Sequence, residues 1–106
     1  MSRLDFFLSL AKKYICDGKY HFAEREKNKQ CLATLGITLL DALNLIMELS
    51  EEDYYKGPEN ERNPSKKPGT VFSFRKEYEG QPLYIKLKLP EAEEKVIVIS
   101  FHIAER

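Results

Sequence analysis

The chain is poor in the residues that sulfur and metal chemistry require. Its soft ligands are two cysteines and two histidines, Cys16, Cys31, His21 and His102. Their positions show no zinc-finger spacing. Both cysteines fall in segments predicted to be helical, which favours buried structural thiols over a nucleophile. We therefore expect no metal, no cofactor and reduced thiols.

An excess of one charge, a long apolar run and a glycine-rich phosphate loop are also missing. Seventeen basic side chains balance seventeen acidic ones. This argues against a high-affinity, non-specific nucleic-acid binder, which usually carries a positive excess, but it allows a local basic site. No segment has the length of a membrane span, and residues 4–10 lack the features of a signal peptide. We expect a cytoplasmic protein that does not associate with membranes.

A length of 106 residues predicts a single α+β domain over 1–106. Residues 1–50 are predicted to be mainly helical, with helices at 4–16 and 39–47, a short one at 31–35, and a short strand near 20–25. Thr38 and Asp41 form a capping box for the helix at 39–47. Residues 57–69 form a polar loop. Residues 70–104 form an antiparallel β-meander that packs on two to three N-terminal helices.

The strand pattern predicts which side chains share a face of this meander, because alternate residues of a strand point to opposite sides. In strand 83–89 an aliphatic row (Ile85, Leu87, Leu89) lies opposite a polar row (Tyr84, Lys86, Lys88). In strand 96–103 the row Ile97, Ile99, Phe101 and Ile103 lies opposite Val96, Val98, Ser100 and His102. Aligning the two aliphatic rows places them against the helices. The outer face then carries Tyr84, Lys86, Ser100 and His102.

These outer side chains suit the cleavage of RNA without metal. The reaction requires a base for the 2′-hydroxyl, an acid for the leaving oxygen and cations for the charge on phosphorus. Arg75 and Lys76 lie nearby in the meander, and Lys56 stands at the start of the polar loop. Tyr54, Tyr55 and Phe72 are candidates for stacking on unpaired bases. From the pattern alone, a polar outer face is explained more simply as the side of an antiparallel sheet that meets water.

Several segments add a resemblance to this pattern. They are Leu-Gly-Ile-Thr at 35–38, Leu-Ser-Glu-Glu-Asp-Tyr-Tyr-Lys-Gly-Pro at 49–58, Val-Phe-Ser-Phe at 71–74, Leu-Tyr-Ile-Lys-Leu at 83–87 and Ile-Val-Ile-Ser-Phe-His at 97–102. In order and spacing they resemble the MqsR family of toxin–antitoxin mRNA endonucleases, over about residues 20–104. The resemblance implies a RelE-like α+β fold, metal-independent cleavage of mRNA and a cognate antitoxin partner.

The family's catalytic positions fall on Lys56, Tyr84 and His102 by this resemblance. Phosphate and RNA contacts are expected from Arg75, Lys76, Lys86 and Tyr55. Two positions depart from the family. His102 replaces a lysine of the best-known member, which changes the free side-chain pKa from about 10.4 to about 6.5. A family glutamine has no counterpart, since Val71 or Phe72 stands there, and Arg75 or Lys76 would have to compensate. These departures keep an alternative open: a non-catalytic RNA- or protein-binding module on the same fold.

Overall fold

The computed structural model describes residues 2–104, in which three α-helices and a five-stranded sheet form an α+β fold. The helices are α1 (Arg3–Cys16), α2 (Glu26–Leu35) and α3 (Leu39–Met47). The strands are β1 (Tyr20–Phe22), β2 (Tyr54–Asn60), β3 (Gly69–Tyr78), β4 (Gln81–Pro90) and β5 (Val96–Ile103). A short 3-10 turn (Glu51–Asp53) precedes β2. The predicted fold class, with helices first and strands after them, is confirmed.

Local signals explain where the helices begin. The Ser2 hydroxyl accepts from the Asp5 N–H at 3.1 Å and caps α1. The predicted capping box of α3 is present: the Thr38 hydroxyl accepts from the Asp41 N–H at 3.1 Å, and the Asp41 carboxylate accepts from the Thr38 N–H at 2.9 Å. α2 begins at Glu26 instead of residue 31. The first turns of α2 are polar, so the spacing of apolar residues that predicts this helix begins only at Cys31.

The sheet has the strand order β1-β5-β4-β3-β2. β3, β4 and β5 form the predicted antiparallel meander, β1 runs parallel to β5, and β2 pairs with β3. The predicted polar loop at 57–69 is wrong at both ends, because β2 extends to Asn60 and β3 starts at Gly69. β2 is a polar, irregular edge strand that is held by backbone pairing with β3, so no apolar alternation marks it in the sequence.

The core lies between one face of the sheet and helices α1 and α3. The helices contribute Phe7, Leu8, Ala11, Ala42, Leu43 and Ile46, and the strands contribute Phe72, Phe74, Leu83, Ile85, Leu87, Val96, Val98 and Phe101. No single helix within residues 2–104 is long and apolar enough to span a membrane. Taken together, α2 and α3 have the length and apolar composition of a span, but the two helices are bent by 93° relative to each other.

The face prediction for β5 is wrong in the first half of the strand. Val98 pairs with Leu87 while Ser100 pairs with Lys86, so Ile99 is an extra residue at a β-bulge. Val96 and Val98 are therefore buried on the helix side with Phe101. Ile97 and Ile99, which were expected in the core, border the outer face instead. Beyond the bulge the predicted side is correct for His102.

Helix α2 closes the edge of β5 where β1 ends. β1 pairs with β5 only as far as Val98. Beyond Val98, the fully buried side chain of Asn28 supplies hydrogen bonds to the edge of β5. Its amide donates to the Ile99 carbonyl at 3.1 Å, and its oxygen accepts from the Phe101 N–H at 2.9 Å. The next residue of β5 is His102, so this contact fixes the backbone that carries the imidazole.

Candidate active site

Tyr84 and His102 lie side by side on the outer face of the sheet. They are directly paired in β4 and β5, and their ring centroids are 5.4 Å apart. Ser73 of β3 is completely buried beside them, with its hydroxyl oxygen 3.1 Å from the phenol oxygen of Tyr84. The predicted shared face of residues 84 and 102 is thus confirmed. Their chemical roles stay predictions.

Tyr55 and Arg75 extend this row toward the edge of the sheet. Arg75 is the β3 partner of Tyr84. Its guanidinium carbon lies 4.3 Å from the centre of the Tyr55 ring, an arrangement that orients the cation. The Tyr55 ring meets the Tyr84 ring edge-on, with centroids 6.2 Å apart. Both Tyr55 and Arg75 are exposed, so the row of cation, two phenols and imidazole is open to solvent.

Lys86 and Arg25 bring further positive charge to the same face. Lys86 is paired with Ser73 on one side and Ser100 on the other. The Arg25 guanidinium donates to the Ser100 hydroxyl at 2.8 Å and to the Ile99 carbonyl at 3.3 Å. Arg25 was not among the predicted site residues. Its approach depends on the parallel pairing of β1 with β5, for which the sequence carried no signal beyond a basic residue at the end of an extended segment.

Lys56 lies at the border of this cluster. It is the β2 partner of Ser73, and directly opposed residues of an antiparallel pair point to the same face. Its ammonium lies 3.6 Å from the Glu59 carboxylate, and its side chain is 62% exposed. Such an exposed ion pair is weak, so Lys56 is available to another anion.

Lys76 and two of the predicted stacking rings do not belong to the site. Lys76 pairs with the core residue Leu83, on the helix side, and its ammonium lies 4.0 Å from the Asp53 carboxylate. The structure therefore does not bring Lys76 together with Arg75, because consecutive strand residues point to opposite faces. Tyr54 and Phe72 pack against each other with centroids 6.2 Å apart, and both lie on the helix side. Among the predicted rings Tyr55 lies on the outer face.

The loop 61–68 covers the other end of the outer face. Lys88 is buried beneath it, with its ammonium 2.9 Å from the Glu61 carboxylate and donating also to the Lys67 carbonyl. The hydrogen bond from Lys88 lowers the pKa of the Glu61 carboxyl. Because this contact fixes the loop, the outer face is covered at the Lys88 end and open at the Tyr84 end.

The structure also shows what stands at the family's glutamine position. Phe72 is a core residue, whereas Val71 pairs with Lys88 and borders the outer face beside Lys86. No amide is available from either side chain. The next outer position of β3 is Ser73, whose hydroxyl contacts Tyr84.

The cysteines divide between surface and interior. Cys31 is buried, as predicted, and burial raises the pKa of its thiol, which disfavours the reactive thiolate. Cys16 is exposed, contrary to the prediction, because it is the last residue of α1. Within residues 2–104 no group of three or more His, Cys, Asp or Glu side chains is placed to hold a metal ion.

Together these features define a small α+β protein with helices on one face of its sheet and an open row of aromatic, imidazole and cationic side chains on the other. A family model described as "Motility quorum-sensing regulator, toxin of MqsA" matches residues 5–103. The chain belongs to this MqsR toxin family, and it is a toxin of a toxin–antitoxin system with an antitoxin as partner. The match also includes α1, which carried no distinctive motif. No curated protein matches the chain.

Proposed function

We propose that this toxin is a metal-independent endoribonuclease that cleaves mRNA in the cytoplasm. The observation that carries the proposal is the paired placement of Tyr84 and His102 on an open face, 5.4 Å apart between ring centroids. Two groups able to move protons lie within reach of one phosphate, and Arg75 and Lys86 are on the same face. This combination matches the needs of RNA cleavage through the 2′-hydroxyl.

His102 is proposed as the base. Its Nδ1 lies 3.1 Å from the Ile103 carbonyl oxygen, which can only accept a hydrogen bond. In the neutral imidazole this contact holds the proton on Nδ1 and leaves the lone pair of Nε2 free. Nε2 then takes the proton of the 2′-hydroxyl as the 2′-oxygen attacks phosphorus. The bond from phosphorus to the 5′-oxygen breaks as this oxygen takes the proton of the Tyr84 phenol, and the phenolate recovers a proton from the His102 imidazolium. The products are a 2′,3′-cyclic phosphate and a 5′-hydroxyl.

Tyr84 and the cations are proposed to stabilise the charge that develops in this step. The phenol of Tyr84 donates to the leaving oxygen, and its contact with Ser73 fixes its position. Arg75, Lys86 and Lys56 face the negative charge on phosphorus, where positioned cations contribute most. The exposed Tyr55 ring, which the Arg75 guanidinium contacts on one face, stacks on a base beside the cut.

Incubation of the purified protein with mixed RNA in EDTA tests the proposal. The wild type is expected to produce discrete fragments, and Tyr84→Phe and His102→Ala to slow cleavage by about 10²–10⁴-fold, the usual contribution of a proton-transferring group. Tyr14→Phe is the matched control, because it removes the same hydroxyl from a half-buried tyrosine of α1 that packs against the core. The same two variants should relieve growth arrest in cells that express the toxin.

Intact RNA after incubation with the wild type would refute the nuclease. Retained RNA binding under those conditions would then favour the non-catalytic binding module.

A further inference from the structure

The outer face carries an apolar floor that the proposed chemistry does not use. Ile97 and Ile99 project there because of the β5 bulge, and each is only half-buried. They form the floor of a cleft of about 410 Å³ between β5 and the loop 61–68. Leaving two β-branched side chains outside the core and partly in contact with water costs free energy, unless another group covers their apolar surface.

The walls of this cleft are basic. Arg25, Lys66, Lys86 and Lys88 line it, whereas the carboxylate that lines it belongs to Glu61, which is already bound to Lys88 at 2.9 Å. The local balance is positive although the whole chain is neutral. The occupant that this cleft fits is therefore anionic on its outside and apolar and flat on one face.

The cleft is continuous with the candidate active site. Lys86 lines it and lies two residues from Tyr84 along the same side of β4. Arg25 lines it and donates to Ser100, the β5 residue that faces Lys86. A strand of RNA whose scissile phosphate lies at Tyr84 and His102 therefore meets this cleft at the adjacent nucleotides.

We propose that the cleft binds an unpaired nucleotide segment of the RNA substrate next to the cut, a subsite that rests on the proposed nuclease function. A base lies flat on Ile97 and Ile99, and Arg25, Lys66 and Lys86 contact the flanking phosphates. A base in a duplex has both faces covered by its neighbours, so this floor selects single strands. The subsite explains both the outward isoleucines and the local positive charge.

Binding of a fully 2′-O-methylated single-stranded oligonucleotide tests the subsite, because this probe has no free 2′-hydroxyl and cannot be cleaved. The double variant Ile97→Ala/Ile99→Ala is expected to weaken binding by about fivefold or more, because it removes most of the apolar surface that the base would cover. Leu89→Ala is the matched control: it truncates another half-buried aliphatic residue of the sheet, on the helix side. It should bind the probe as the wild type does. Thermal melts establish that both variants are folded.

A second measurement uses the charge of the cleft wall and does not disturb the core. Lys66 is exposed in the loop, so Lys66→Ala leaves the fold intact. If it contacts a phosphate, the slope of log affinity against log salt concentration falls by about 0.7, the contribution of one phosphate contact to a single strand. Lys13→Ala removes the same charge from the exposed surface of α1 and should leave the slope unchanged.

Unchanged binding by the isoleucine variant, or equal binding of the probe and its duplex, would overturn the subsite. These results do not depend on catalysis. A protein that cleaves RNA through His102 but binds the probe equally well without the isoleucines loses the subsite and keeps the nuclease. A protein that binds through the cleft and cleaves nothing keeps the subsite and loses the nuclease.

Discussion

The side-chain oxygen of Asn28 accepts a hydrogen bond from the backbone N–H of Phe101 at 2.9 Å. A helical residue thus satisfies the edge of β5 in the way a neighbouring strand would. The same amide donates to the carbonyls of Ile99 and Ala23 at 3.1 and 3.0 Å. With this one side chain, α2 closes the edge that the short β1 leaves open, and it does so immediately before His102.

Replacing Asn28 should therefore destabilise the protein strongly. Asn28→Ala leaves the buried N–H of Phe101 without its partner and removes one of two donors from the carbonyls of Ile99 and Ala23. We expect a loss of about 2–4 kcal/mol in the free energy of unfolding. Urea titration measures it. Asn44→Ala is the control, because Asn44 is exposed in the middle of α3 and alanine is the better helix former. A loss for Asn28→Ala no larger than that of the control would show that water replaces the amide.

The ion pair beneath the loop 61–68 should respond unequally to the removal of its two partners. The Lys88 side chain is 4% exposed and that of Glu61 19%. Glu61→Gln leaves a buried ammonium without a counterion, at a cost of about 3 kcal/mol. Lys88→Met leaves a carboxylate that water partly reaches, so the loss should be smaller.

Urea titration of both single variants and of the double variant separates these cases. The double variant should be more stable than Glu61→Gln alone, because no buried charge remains. Equal losses for the two single variants, with additive behaviour in the double variant, would contradict a buried pair.

The same pair should make the stability of the toxin sensitive to acid. The hydrogen bond from Lys88 lowers the pKa of Glu61 in the folded state, whereas the unfolded glutamate titrates near about 4.3. The stabilisation is therefore fully present above about pH 4.3 and is lost as pH falls through the lower folded value. The difference in unfolding free energy between wild type and Glu61→Gln should shrink on acidification. A difference that stays constant from neutral pH to about pH 3 would exclude this linkage.

Much of the meander could be predicted because β4 alternates without ambiguity. Tyr84 and the two lysines of β4 are predicted on one face and its aliphatic residues on the other, and the structure shows the same arrangement. The same rule places Lys76 on the helix side of the sheet, since it is the direct neighbour of Arg75 along β3.

β5 could not be predicted by alternation. Residues 96–99 are all aliphatic, so a pattern of period two has no preferred phase there, and the bulge at Ile99 has no marker in the sequence. β2 was missed for a related reason: it is polar on both sides and exists through its pairing with β3. Arg25 and Asn28 reach β5 from more than seventy residues away along the chain. A contact between residues so far apart in the chain cannot be predicted before the strand order of the sheet is known.

The contact between Ser73 and Tyr84 allows a sharper test of the active site than single substitutions do. Ser73 is fully buried and its hydroxyl lies 3.1 Å from the phenol oxygen, so it does not reach RNA and acts by positioning Tyr84. Ser73→Ala should slow cleavage by about tenfold, the effect of one lost hydrogen bond of about 1.4 kcal/mol. In the Tyr84→Phe background the same change should have no further effect, because the phenol it positions is already gone.

Cleavage rates of the wild type, both single variants and the double variant complete this cycle. Ser100→Ala is the matched control: it removes an equally buried hydroxyl from the outer face, but one that contacts Arg25 instead of Tyr84. Its effect on rate should persist undiminished in the Tyr84→Phe background. Independent losses from Ser73→Ala and Tyr84→Phe would mean that Ser73 supports the sheet and not the phenol, and the proposed positioning of Tyr84 would fall with it.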